Sequence, residues 1–362
     1  MSNYARERAR KLTILTRDAL RELPLVCSDF IRDIESTTQP LTRFAYVTDL
    51  KIFFSYLISE SPKFADKQLC LITPDDLATL TPRDLRMYME YLGLYIKNGE
   101  EITNADNGKM RKLSSLRSFY KFMFKNELIK SDIAQLIDMP KRREKPILRM
   151  EIDEVARMLD LVESGEGLSE RQQRYNKHTR MRDLAILTLF LDTGIRVSEL
   201  VGIDIDDIDF GINGFLVTRK GGNQTILYFS DEVESVLRDY LAVRKELTPL
   251  PGHENALFLS LQNKRITVRA VQIMVKKYAT QAAPLKKRLS PHKLRSTFGT
   301  NLYHETGDIY LVADVLGHSD VNTTRKHYAA MSDDKRRMAA KMVRARDDAK
   351  PSQNAETEDP KD

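Results

Sequence analysis

Apolar residues in the first third of the chain recur at intervals of three and four, the spacing that lines one face of an α-helix. Leu50, Phe53, Phe54 and Leu57 predict a helix over about 41–59. Thr81 reads as an N-cap, with Pro82 at the first helical position and Asp84 three residues after the cap, so a second helix starts there. Leu85, Tyr88, Met89 and Leu92 carry it forward, and Asn98-Gly99 reads as its stop. A third helix places Leu113, Leu116, Tyr120 and Met123 on its apolar side and Arg117, Lys121 and Lys125 along a cationic flank.

Past Met139-Pro140 the pattern breaks into the run Lys141-Arg142-Arg143-Glu144-Lys145-Pro146, two prolines around charges, the composition of an interdomain connection. This divides the chain into an extension 1–22, a helical domain 23–138, a linker 139–147, a second domain 148–346 and a tail 347–362. In the second domain the pattern predicts a helix near 151–162, a polar surface loop over 164–177 and a strongly apolar helix over 184–191. The β-branched and aromatic runs 214–218 and 225–229 flank the turn Lys220-Gly221-Gly222-Asn223 and predict a β-hairpin with Lys220 at its tip. Helices follow at about 231–245, 268–279, 292–304, 310–316 and 333–343. The fold class is mainly α: an all-helical N-terminal domain, then an α+β domain with a small antiparallel sheet.

At 362 residues the chain is long enough for two domains, each with its own core. Lysine and arginine exceed aspartate and glutamate by 58 to 52, a formal charge of +6, which permits a polyanionic partner without demanding one. Cys27 and Cys70 lie far apart with no ligand spacing, which suggests neither a disulfide framework nor a zinc site. Residues 1–21 lack the apolar core of a secretory signal, and no stretch reaches the ~18 apolar residues of a membrane span. A cytoplasmic protein with no membrane association is expected. The tail, Pro351 to Pro360, has almost no apolar content and is expected to be disordered.

Candidate chemistry concentrates near the C-terminus. Tyr328 stands at the end of Leu316-Gly317-His318-Ser319-Asp320-Val321-Asn322-Thr323-Thr324-Arg325-Lys326-His327-Tyr328, and Ser290-Pro291-His292-Lys293-Leu294-Arg295 lies upstream. A phenol with its ordinary pKa near ~10 is a poor nucleophile unless neighbours position it, manage its proton and neutralise the attacked group. Attack on a phosphodiester builds charge on the non-bridging oxygens, which planar guanidinium groups clamp bidentately. Arg295 is one candidate; Arg196 is the other, placed where Gly194 breaks the apolar helix and where Glu199 can orient it. Taken alone, Arg196 with Glu199 is an ordinary surface ion pair. The leaving 5′ oxygen needs a proton, and Lys220 on a glycine-flanked tip can give it, with Arg219 a competitor for that role. His292 is three residues before Arg295, on the same helical face, and His318 follows a Leu-Gly helix end. Tyr303 and Tyr310 are rival phenols that fit apolar helical faces better. Neither a metal-ligand cluster nor a GxxxxGK[ST] loop is present, so no cofactor is expected.

The segments Thr193-Gly194-Ile195-Arg196-Val197-Ser198-Glu199-Leu200, Lys220-Gly221-Gly222, His292-Lys293-Leu294-Arg295, Leu316-Gly317-His318 and Tyr328 together resemble the ordered Arg, Lys, His-x-x-Arg, His, Tyr signature of the tyrosine recombinases. Lys112-Leu113-Ser114-Ser115-Leu116-Arg117-Ser118-Phe119-Tyr120 is similar to a segment of that family's core-binding domain, so the resemblance spans about 26–342. It implies Tyr328 as nucleophile of a 3′-phosphotyrosyl link, Arg196 and Arg295 on the scissile phosphate and Lys220 as general acid. It further implies His292 in proton transfer and His318 on the phosphate. It also implies a double-stranded DNA site, a homotetramer that exchanges C-terminal helices around a Holliday junction, and a possible DNA translocase partner.

Length and the Arg219-Lys220-Gly221-Gly222 segment are most similar to the Xer branch in its single-recombinase form, which implies chromosome dimer resolution at cell division. The interval of ten residues from His318 to Tyr328 instead resembles some mobile-element integrases. Phage or transposon integration is therefore the near alternative. A type IB topoisomerase and a non-catalytic DNA-binding regulator are the distant ones. Arg43, Lys51, Arg111, Arg117 and Lys121 are the candidate DNA contacts of the first domain.

Overall fold

Helix α1 (Asn3–Leu20) begins the chain in the structure, a computed structural model that describes residues 3–97, 99–140, 148–219, 222–286, 289–317 and 321. The chain divides into two units, one up to Pro146 and one from Ile147 onward, setting aside residues 220–223.

In the first unit α1 packs on α3, burying Thr16 and setting Ala19 and Leu20 against the core. Next come α2 (Leu25–Asp33), α3 (Pro40–Glu60), α4 (Pro74–Ala78) and α5 (Pro82–Tyr91). The start of α5 is a capping box: the Thr81 hydroxyl accepts from the Asp84 backbone N–H at 3.4 Å, and Asp84 Oδ2 accepts from the Thr81 N–H at 2.7 Å. α6 (Asp106–Lys125) and a 3-10 turn at Ile133–Leu136 are its last helical elements.

Its core is aromatic. Phe30, Phe53, Phe54, Tyr88, Phe119 and Tyr120 are buried, with Phe30 edge-on to Phe119 at 5.5 Å and Phe53 to Tyr88 at 5.1 Å. Such pairs add about 0.5–1.5 kcal/mol beyond the area they bury. Into this core α3 carries a carboxylate, Asp49, which accepts from Ser115 Oγ at 2.8 Å and from the Arg111 guanidinium. Burial pushes its pKa up, and those two partners oppose the shift.

The unit is not all-helical. Leu94–Lys97 (β1) and Glu100–Thr103 (β2) form an antiparallel ribbon, with Leu94 opposite Thr103 and Lys97 opposite Glu100. The strands meet across a turn at Gly99, φ +80°, so this point closes a hairpin rather than stopping a helix; Asn98 lies outside the described residues.

The second unit is built around α8. After α7 (Ile152–Ser164), α8 runs from Glu170 to Thr193. The polar stretch expected to be a loop over 164–177 is therefore mostly its first half. Ser169 caps it, accepting from the Gln172 N–H while the Gln172 side chain accepts from the Ser169 N–H. Inside that half Asn176 is buried, donating to Val162 O at 3.0 Å and accepting from the Tyr278 hydroxyl at 2.7 Å. Polarity there serves internal hydrogen bonds. The second half, Leu184 to Phe190, is almost wholly buried and contacts α10 (Asp231–Lys245) and α12 (Pro291–Thr306).

Between α8 and α10 lie α9 (Val197–Leu200) and a three-stranded antiparallel sheet, β3 (Ile208–Asp209), β4 (Gly214–Thr218) and β5 (Gln224–Tyr228), in that order. In the hairpin Thr218 pairs with Gln224 and Gly214 with Tyr228. α11 (Val268–Ala282) and α13 (Ile309–Leu316) complete the described α-helices. Val312 and Leu316 of α13 pack on Phe298 and Leu302 of α12. The helix expected over 333–343, the linker run 141–147 and the tail lie outside the described residues.

Candidate active site

A sharp turn at the end of α8 creates the site. Gly194 caps that helix in the left-handed conformation, φ +59°, which only glycine adopts at little cost. Space demands glycine as well, since a Cβ there would lie 2.4 Å from Phe298 Cδ1. The turn buries Ile195 and delivers Arg196 to the N-cap position of α9. One turn on, the buried Glu199 carboxylate accepts from the Arg196 backbone N–H at 3.0 Å and from its guanidinium at 2.8 Å. The other arm of that guanidinium donates to the carbonyl of Gly317 at 2.9 Å.

Arg295 reaches the same place from α12. It is 6 % exposed and donates to the carbonyls of Gly194 and Leu316, so it ties the α8 turn to the end of α13. A third guanidinium arrives from the sheet: Arg219, directly after β4, donates to Val315 O at 2.8 Å and Asp314 O at 3.3 Å. The carbonyls of Asp314, Val315, Leu316 and Gly317 lie where a helix runs out of internal partners at its C-terminus, although Asp314 O also accepts from the Gly317 N–H at 2.8 Å. All four are bonded by arginine, and the negative end of the helix dipole favours cations there. Burial pushes the Arg219 pKa down; Glu199 counters this, and nearby Arg196 adds to it.

Two of the six candidate catalytic residues, Arg196 and Arg295, are thus brought together, with Glu199 orienting the first. His292 sits exposed in the first turn of α12, behind Pro291 at its first position. Lys220, His318 and Tyr328 lie outside the described residues, but Arg219 and Gly317, the residues before the first two, belong to this cluster. Arg219 was legible in the sequence only as a rival proton donor. Its bonds to α13 depend on folding and left no local signal. Of the rival phenols, Tyr303 packs beside Val312 and Leu316, while Tyr310 is 70 % exposed, contrary to the apolar face expected for it.

The candidate DNA contacts of the first unit are mostly engaged within it. Arg43 donates to Glu35 O at 2.9 Å and Thr38 O at 2.6 Å; Lys51 pairs with Glu22; Arg111 pairs with buried Asp49. Arg117, read as part of a cationic flank, donates to Ala134 O at 3.2 Å and to Ile137 O, bracketing the 3-10 turn. Lys121 is exposed on α6. Among the described residues no group of three His, Cys, Asp or Glu side chains is placed to hold a metal, and no helix is long and apolar enough to cross a membrane.

Two guanidinium groups held by one carboxylate and by helix carbonyls, with a third beside them, form a fixed positive locus suited to a phosphodiester. Known proteins point the same way. Residues 149–335 match the model of the phage integrase family. The tyrosine recombinase XerC of Caldanaerobacter subterraneus subsp. tengcongensis is 32 % identical over 296 residues, 79 % of this chain and 77 % of its own. The tyrosine recombinase XerS of Streptococcus uberis is 29 % identical over 334 residues, 83 % of this chain and 90 % of its own. Among solved structures, the Tn1549 transposon integrase in complex with circular intermediate DNA superposes with a TM-score of 0.61 at 20 % identity, covering 88 % of this chain and 99 % of its own. The XerH recombinase bound to palindromic difH substrate gives 0.59 at 20 % identity, covering 84 % and 80 %. Both share the mainly helical fold with small antiparallel sheets described above. The chain belongs to the phage integrase family and is a tyrosine recombinase, an enzyme that cuts and rejoins DNA.

Proposed function

We propose that this chain recombines a specific double-stranded DNA site through a 3′-phosphotyrosyl intermediate on Tyr328. The Tyr328 oxygen attacks the scissile phosphorus and gives up its proton with help from His292, and the bond to the 5′ oxygen breaks. Lys220 gives that oxygen a proton. Arg196 and Arg295 hold the non-bridging oxygens, where charge grows in the transition state, and His318 hydrogen-bonds one of them. Glu199 keeps the Arg196 guanidinium oriented. Attack by the 5′ hydroxyl of a partner strand reverses the linkage, so phosphodiester energy is conserved and no cofactor is consumed.

The observation that carries this reading is the convergence of Arg196 and Arg295 on the end of α13, one residue before His318. The wider reading is a cytoplasmic homotetramer on DNA that exchanges C-terminal helices, resolves chromosome dimers and works with a DNA translocase. Similarity to relatives named XerC and XerS supports it. The ten-residue interval from His318 to Tyr328 favours a second reading, integration of a mobile element.

Incubation with a nicked suicide substrate, which lets the cut 5′ fragment diffuse away, is expected to trap a covalent protein-DNA adduct. Tyr328→Phe should abolish it, and an adduct that survives the substitution removes Tyr328 as nucleophile. Sequencing the genomic fragments trapped by the parent protein distinguishes a chromosomal site from element ends.

A further inference from the structure

Arg219 has no place in the ordered Arg, Lys, His-x-x-Arg, His, Tyr set, yet it is built into the site. It leaves the end of β4, crosses to α13 and bonds two successive carbonyls of that helix's last turn. Its guanidinium lies against Gly317. A Cβ at that position would fall 1.7 Å from Arg219 Nη1 and push the guanidinium off its carbonyls, and Gly317 holds φ +59°, a conformation that favours glycine. The contact joins two parts of the chain that are 96 residues apart in sequence. One peptide beyond Arg219 is Lys220, and one peptide beyond Gly317 is His318.

We propose that Arg219 is a positioning residue for strand cleavage, fixing the segment that leads into Lys220 against the segment that leads into His318. The proposal rests on Lys220 as the general acid. A proton donor must come within hydrogen-bond reach of the leaving oxygen, about 2.6–3.2 Å, so its anchor must be fixed as tightly. A hairpin end held only by its ladder does not supply that precision. A guanidinium spanning two carbonyls does, because its planar fork sets direction as well as distance.

In the step concerned, the bond from Tyr328 oxygen to phosphorus forms, the bond from phosphorus to the 5′ oxygen breaks, and the 5′ oxygen takes a proton from the Lys220 ammonium. Replacing that oxygen with sulfur removes the need for the proton. A thiol ionises near a pKa of about 8.5 and leaves as thiolate, whereas an alkoxide must be protonated.

The test measures single-turnover cleavage of two DNA substrates, one natural and one with a 5′-bridging phosphorothiolate at the scissile position, by Arg219→Gln, Arg219→Lys and Lys220→Ala in the full chain. Arg219→Gln should slow the natural substrate about tenfold or more, within the ~10²–10⁴-fold that general acid catalysis supplies, and change the sulfur substrate less than about threefold. Arg219→Lys, a point charge unable to span both carbonyls, should show the same split to a smaller degree. Equal slowing of both substrates by the Arg219 variants would mean a phosphate contact or a general loss of structure and overturns the proposal, as does no slowing of either. If sulfur rescues Lys220→Ala but not Arg219→Gln, the role of Arg219 alone falls. Failure of sulfur to rescue Lys220→Ala removes the general acid assignment on which it rests.

Discussion

Glu199→Gln changes one atom in a side chain that is only 4 % exposed, and the structure predicts a large effect. Each carboxylate oxygen accepts a bond from Arg196, one from the backbone N–H at 3.0 Å and one from the guanidinium at 2.8 Å. Glutamine offers one acceptor and one N–H₂ group, so in either orientation a donor faces a donor. A charge-assisted bond, about 1.5–3 kcal/mol, becomes a neutral one or is lost, and an N–H left without a partner costs about 1–3 kcal/mol. Local relaxation recovers part of this, leaving about 3 kcal/mol. At about 2–4 °C per kcal/mol for a unit of this size, calorimetry on the full chain should show a transition lowered by about 6–12 °C. Cleavage of the suicide substrate should fall as well, because Arg196 loses the group that aims it. A transition within about 2 °C of the parent would refute the claim that this pair holds the turn after α8.

Arg196→Ala or Arg295→Ala is expected to cost about 3 kcal/mol of transition-state stabilisation, as loss of an oxyanion donor does, and near-normal adduct formation would remove that arginine from the site. Gly194→Ala should destabilise the second unit by about 1–3 kcal/mol in thermal unfolding, since it combines a positive φ with a Cβ pressed on Phe298; an unchanged transition would contradict this. In the first unit, Lys67 and the Thr73 N–H hold the Asp76 pKa below its ordinary value; burial raises that of Asp84, but Lys63 and Thr81 outweigh it, for a net lowering. Both groups favour the folded state while ionised, so that stability is present above the ordinary carboxylate pKa and is lost as pH falls through the lowered values. Acid titration of Asp76→Asn with Asp84→Asn should show a flatter loss of structure below about pH 4 than the parent, and identical curves would count against the assignment.

What was legible in the sequence was local or strictly periodic. The start of α5 could be read because Thr81, Pro82 and Asp84 make their bonds within one turn, and the β4–β5 hairpin because its strands adjoin. Two errors came from signals with two physical meanings. Asn98-Gly99 ends helices and also closes hairpins, and only the pairing of β1 with β2 decides between them. The polar run before Leu184 looked unfit for a core because its partners, Val162 and Tyr278, are distant in the chain. Arg117 carries a partner set of the same distant kind: carbonyls past position 133 take up its guanidinium. The order of chemical residues revealed the family, while Arg219 needed the folded chain, because nothing near it in sequence is what it binds.

The three arginines grip the backbone of the end of α13, not its side chains, and this shapes how the proposed site tolerates change. Every residue has a carbonyl, so substitutions at the less buried positions 314 and 315 that preserve the helix leave all the acceptors in place. Inserting or deleting one residue in α13, or in the strand before Arg219, rotates or translates the whole set of acceptors away from its donors. The site should therefore drift freely in letters there and hardly at all in length.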